Sequence, residues 1–102
     1  MRVQYKKEDD DLTVIMCGRF THCDRNVIRE IQESINKNPV KSVLLDLSEL
    51  DYMDTSAIGM LLILHENMAK IGVSVTISNI QGNVKTLFDK SELNDLFKIA
   101  SQ

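Results

Sequence analysis

The segment that most constrains this chain runs from Ser42 through residue 64. It opens with Ser42-Val43-Leu44-Leu45-Asp46-Leu47 and passes through polar residues to Asp54-Thr55-Ser56 and a second, longer apolar stretch. A short, nearly continuous apolar run is the pattern of a central strand covered on both faces. Residues 48–53 read as a turn. Asp54, Thr55 and Ser56 are helix-capping residue types, so the stretch after them is predicted to be a helix reaching about Lys70, with Gly72 marking its end. A buried strand leading into an apolar helix is the start of a crossover in a largely parallel sheet.

The flanks fit that frame. Val3 and Tyr5 alternate with polar neighbours, and the acidic residues 8–11 separate them from the β-rich residues 12–17, which predicts an opening hairpin. After Gly18-Arg19-Phe20, Thr21 and Asp24 have capping-box spacing. Val27, Ile28, Ile31 and Ile35 then recur at helical period up to Asn38-Pro39. Val73, Val75 and Ile77 alternate as a further strand, and Val84, Leu87 and Phe88 follow at helical spacing. Ser91 is placed to cap a last short helix carrying Leu93, Leu96 and Phe97. This succession gives an α/β fold, a mixed four- or five-stranded sheet with helices packed against it and right-handed crossovers. Residues 1–102 read as one domain, since a chain of 102 residues buries about two-thirds of its unfolded surface in a single core.

Composition removes several function classes. A net charge of −3 leaves no basic surface for neutralising phosphates, so nucleic acid is not an expected partner. The longest apolar run, residues 57–64, is far shorter than the roughly 20 residues that span a bilayer, and no signal-type segment opens the chain. The expected location is the cytoplasm, without membrane insertion. Cys17 and Cys23 are read as buried or half-buried thiols outside any disulfide, and His22 and His65 lack the spacing of a zinc site, so no metal or other cofactor is expected. Asp46, near a strand end, has the position of a receiver-type phosphoacceptor, but the accompanying acidic pair and lysine are missing. With Glu49, Asp51 and Asp54 it reads as a set of solvated turn carboxylates. No nucleophile-base pair or Gly-rich phosphate loop supports an enzyme.

The motif Asp54-Thr55-Ser56-Ala57-Ile58-Gly59, placed after Met53 at the end of the strand and loop, closely resembles the D-S-S-G-L-G pattern of STAS domains of the bacterial anti-sigma factor antagonist type. The likeness extends from Gly18-Arg19-Phe20 to residues 84–99. It differs in Thr55 for Ser, Ala57 for Gly and Ile58 for Leu. The resemblance implies a partner-switching regulator of transcription or another output. Ser56 would be the phosphate acceptor, with Asp54, Thr55 and Gly59 as its motif neighbours. The partners it implies are an anti-sigma factor doubling as a serine kinase of the histidine-kinase-like ATPase fold, bound while Ser56 is unmodified, and a PP2C-type phosphatase. Small STAS proteins also resemble an accessory subunit of lipid-transporting ABC systems, and that non-switching role is the alternative.

Physical chemistry supplies an independent reason to look at Ser56. A helix N-terminus has unpaired N–H groups and tolerates an anion. Simple capping accounts for the same three residues. No Lys or Arg is close to Ser56 along the chain, so a phosphate there is expected to perturb a docking surface more than to order one. From Ser56 the helix carries Met60, Ile63, Asn67 and then Lys70 on one stripe, whereas Ala57, Leu61, Leu64 and Ile58, Leu62, Ala69 make the expected core stripes. Met60 and Ile63 are thus candidates, with Ser56, for an exposed partner-binding patch. The alternative is a helix buried nearly all round.

Overall fold

The computed structural model describes residues 1–91 and 98–99. The opening hairpin pairs β1 (Arg2–Glu8) with β2 (Asp11–Phe20) in antiparallel register, from Arg2 opposite Cys17 to Glu8 opposite Asp11. Its two-residue turn places Asp9 at φ +53, a left-handed conformation that Asp tolerates through local hydrogen bonding. The chain then passes through a single 3₁₀ turn, His22–Asp24, into α1 (Arg25–Lys37). The predicted capping box is present: the Thr21 amide donates to Asp24 Oδ2 at 2.8 Å, and the Cys23 amide donates to Thr21 Oγ1 at 3.3 Å.

Beyond α1 come β3 (Ser42–Met53), α2 (Thr55–Lys70), β4 (Ser74–Ser78), α3 (Gly82–Ser91) and the two-residue β5 (Lys98–Ile99). Five strands lie in the order β1-β2-β3-β4-β5, and every pairing after the hairpin is parallel. Ser91 is the last residue of α3, and the helix expected to carry Leu93, Leu96 and Phe97 lies outside the described residues. Gly72 ends the α2 crossover at φ +78, where a side chain would strain the backbone.

Among the described residues, helices cover the sheet on one face. Leu12, Val14 and Met16 of β2, Val43, Leu45 and Leu47 of β3, and Val75 and Ile77 of β4 share one core with Ile28, Ile31 and Ile35 of α1, Ala57, Leu61, Leu64 and Met68 of α2, and Val84 and Phe88 of α3. The intervening residues, Thr13, Ile15, Cys17, Leu44, Asp46 and Thr76, are only half-buried. This corrects the expectation for the apolar run at 42–47, which is covered on one face and not both. Leu44 reads as core in the sequence, yet it is only half-buried, and among the described residues no helix packs over that face.

β3 also continues through the residues expected to form a turn. Its pairing with β2 shifts register twice, between Ile15 and Cys17 and between Gly18 and Arg19, and each shift gives β3 one extra residue. Such bulges break the alternation of inward and outward side chains. Burial accordingly moves from Leu47 to Leu50 and then to Met53, a spacing no regular strand shows. Gly18, at φ +95, supplies the backbone conformation required between the two shifts. The Arg19 guanidinium lies 4.3 Å from the Tyr52 ring centroid and clasps the bulged ends together by a cation–π contact.

Candidate functional site

The extension of β3 fixes where α2 begins. The Asp54 amide donates to the Phe20 carbonyl at 3.2 Å, joining the exits of β2 and β3, and the Met53 amide donates to Asn83 Oδ1 of α3 at 3.0 Å. Asp54 is the N-cap of α2: its Oδ1 accepts from the Ala57 amide at 2.9 Å and its Oδ2 from the His22 amide at 3.2 Å. One carboxylate thus caps α2 and anchors the 3₁₀ turn that leads into α1. Burial pushes the Asp54 carboxyl up, but the Ala57 and His22 amides and the His22 ring, 3.7 Å away, outweigh it and hold the group below the ordinary carboxylate range.

Capping and exposure are therefore divided between neighbours. Asp54 does the capping, which leaves Thr55 and Ser56 exposed in the first turn with Ser56 at its second position. Ser56 opens onto a groove of about 520 Å³ between α1 and α2. Along α2 the groove is bordered by Ser56, Gly59, Met60 and Ile63, and along α1 by Arg25, Ile28, Arg29 and Gln32, with His22 at the mouth. Both rows follow the i, i+3, i+4, i+7 spacing of one helix face.

The expected patch is only partly exposed. Ile63 is 54% exposed and forms an apolar wall, but Met60 is 9% exposed and belongs to the core. Met60 lines the groove while nearly buried, whereas Ile63, a turn further on, projects outward. Ala69, expected in the core, is exposed, and Leu62 is half-buried. Cys23 is exposed where a buried or half-buried thiol was expected, and Cys17 is half-buried. Gly59 is exposed, and a Cβ built on it meets nothing within 4 Å. Packing inside this chain gives no reason for glycine there.

Sequence reasoning missed His22, Arg25, Arg29 and Gln32. The signal was the α1 row itself, polar residues at one-turn spacing around Ile28, but it becomes informative only once α1 and α2 are known to be neighbours. The statement that no cation is near Ser56 holds along the chain and fails in space. Asp46 is a structural carboxylate: it accepts from the Asn79 side-chain amide at 2.9 Å and the Ser48 amide at 3.0 Å. Burial raises its pKa, and these hydrogen bonds more than reverse the effect, leaving it low. Among the described residues no three His, Cys, Asp or Glu side chains gather as a metal-binding group, and no helix is long and apolar enough to cross a membrane.

A one-sided mixed sheet, a carboxylate cap and an exposed hydroxyl at the start of the second helix define the class of small α/β domains that present a helix terminus as a surface. The chain belongs to the STAS domain family, whose model matches residues 13–102. A STAS-domain-containing protein of Pseudomonas aeruginosa strain UCBPP-PA14 is 29% identical over 93 residues, covering 91% of each chain. The fold is similar to that of the anti-sigma factor antagonist SpoIIAA in its unphosphorylated form, with a TM-score of 0.81 at 17% identity over 99% of this chain and 90% of that one. It is also similar to the phosphorylated form of the Bacillus protein, with a TM-score of 0.73 at 16% identity over 99% and 93% of the two chains. A sulfate transporter family protein from Wolinella succinogenes shares the fold as well, with a TM-score of 0.73 at 12% identity over 85% and 73%.

Proposed function

We propose that this protein is a non-enzymatic, cytoplasmic binding module that docks a regulatory partner in the α1–α2 groove and is switched by phosphorylation of Ser56. The observation that carries this reading is the division of labour at the start of α2: Asp54 alone supplies the cap, so the Ser56 hydroxyl is left exposed at the rim of a partly apolar groove. Unmodified, the groove offers Ile63 as an apolar wall and polar groups on both helices, a mixture typical of a protein-binding patch. By likeness to the anti-sigma factor antagonists, the partner is an anti-sigma factor that doubles as a serine kinase. Transfer of the γ-phosphoryl group of ATP to Ser56 Oγ, with ADP and the hydroxyl proton leaving, places about −1.5 to −2 charges at the rim and releases the partner. A PP2C-type phosphatase returns the hydroxyl.

Affinity purification from native cells identifies the partner, and incubation with that partner and ATP followed by intact-mass measurement tests the site. One added phosphate on the unaltered chain and none on Ser56→Ala is expected. Undiminished labelling of the alanine variant refutes the assignment. Recovery of a lipid-transporter ATPase in place of a kinase assigns the chain to the non-switching, accessory-subunit role instead.

A further inference from the structure

The α1 wall of the groove carries two exposed guanidiniums one helical turn apart, Arg25 and Arg29, facing the side from which Ser56 opens. Among the described residues neither enters an ion pair, although cations on a surface of net charge −3 have many carboxylates to choose from. The acids at the starts of the two helices are engaged elsewhere. Asp24 accepts from the Thr21 amide, and Asp54 accepts from the amides of Ala57 and His22. Among the described residues no Asp or Glu borders the groove: its polar lining consists of His22, Arg25, Arg29, Gln32 and the Ser56 hydroxyl. Like charges one turn apart on a helix repel. Among the described residues that line it, the groove thus holds two fork-shaped donors and no anion.

We propose that Arg25 and Arg29 form a receptor for the phosphate carried by Ser56, drawing it across the groove to bridge α1 and α2. This rests on the reading of Ser56 as the modified residue. A serine phosphate presents three strong acceptor oxygens, which match the planar donors of arginine in bidentate fashion. Held in this way, the group lies over Gly59 and the floor at Met60, on the ground that a partner's side chains need. Release then follows from closure of the groove from within, in addition to any repulsion between charges. The phosphate orders this surface, the opposite of what the absence of cations near Ser56 along the chain suggests.

The test installs phosphoserine at position 56 of the full chain during synthesis, so that no kinase is required, and follows its ionisation by phosphorus NMR. His22→Gln serves as the background, which removes the one imidazole at the groove mouth from the titration range. The second phosphate ionisation is expected about one pH unit below its ordinary value near 6. It should return toward 6 in Arg25→Gln, in Arg29→Gln and most fully in the double variant, while Arg2→Gln on β1 leaves it low. Salt at 1 M, which shortens the screening length to about 3 Å, should raise the midpoint of the parent relative to that of the double variant, in which salt exerts only its general lowering of a second phosphate ionisation. If the double variant does not fold, the single variants and the salt series decide. A midpoint unaffected by either arginine or by salt overturns the proposal. Because the phosphate is placed without a kinase, that failure is separate from a failure of Ser56 labelling, which bears on the modification itself.

Discussion

Replacing Gly59 by alanine should push stability and partner binding in opposite directions. Glycine inside a helix costs about 0.5–1 kcal/mol relative to alanine, because the unfolded chain is freer and no side chain covers the backbone. Position 59 lies in α2, its backbone is not in the left-handed region, and an added Cβ meets nothing within 4 Å, so no clash subtracts from that gain. Stabilisation of about 1 kcal/mol corresponds to a rise in melting temperature of about 4 °C for a domain of this size. The same methyl group stands in the groove between Ser56 and Ile63, where the proposed partner would meet bare helix backbone. Overfilling a packed contact by one methyl costs on the order of 1–3 kcal/mol, equivalent to roughly 5–150-fold in affinity. Thermal denaturation followed by circular dichroism measures the first quantity, and titration against the purified kinase-type regulator measures the second. A stabilised variant that binds the regulator as tightly as the parent would show that the partner docks elsewhere. A destabilised variant would show that the space at Gly59 is filled in solution.

The two apolar residues of the groove should separate cleanly. Ile63→Glu is expected to leave the circular dichroism spectrum unchanged and weaken regulator binding at least tenfold, whereas Met60→Ala, made in the core, is expected to cost about 2 kcal/mol or more in urea denaturation. Loss of folding in Ile63→Glu would place that side chain in the core. Acid should reveal the Asp54 cap: its folded-state carboxyl is held below the unfolded value near 3.9, so its contribution is present above that pH and fades as pH falls through the lower folded value. Asp54→Asn should therefore be less stable than the parent at pH 7, with the gap narrowing below pH 4; a gap that widens in acid contradicts the assignment.

Much of the architecture is legible in the residues, because period-2 and period-3.6 patterns report directly on which face is buried. The hairpin, α1, the start of α2 at Asp54 and the alternation in β4 all follow from such patterns. The second half of β3 does not, since two bulges displace Leu50 and Met53 from the alternation and make a paired strand resemble a turn. The candidate site divides in the same way. Ser56, Asp54 and Gly59 are consecutive enough to be seen as a motif. Met60 was misplaced because counting along one helix ignores the neighbour that covers it. Arg25 and Arg29 are remote from Ser56 in sequence and become its neighbours only through the packing of α1 on α2. Long-range placement of exposed side chains leaves no periodic trace in the chain.

The position of β3 has a consequence for how the chain reaches its native state. Ser42 pairs with Asp11 on one side and Ser74 on the other, so both neighbours are roughly thirty residues away and each is reached through a helical crossover. Closing each connection costs on the order of 3 kcal/mol of chain entropy before any ladder hydrogen bond offsets it. Among the described strand pairings, only the β1–β2 hairpin can form locally. Folding should therefore be slower than in helical bundles of equal length, with a rate-limiting step in which β3 is captured between its two neighbours. The groove proposed to exchange partners is built on α1 and α2, the crossovers that lead into and out of β3, so its assembly depends on that capture.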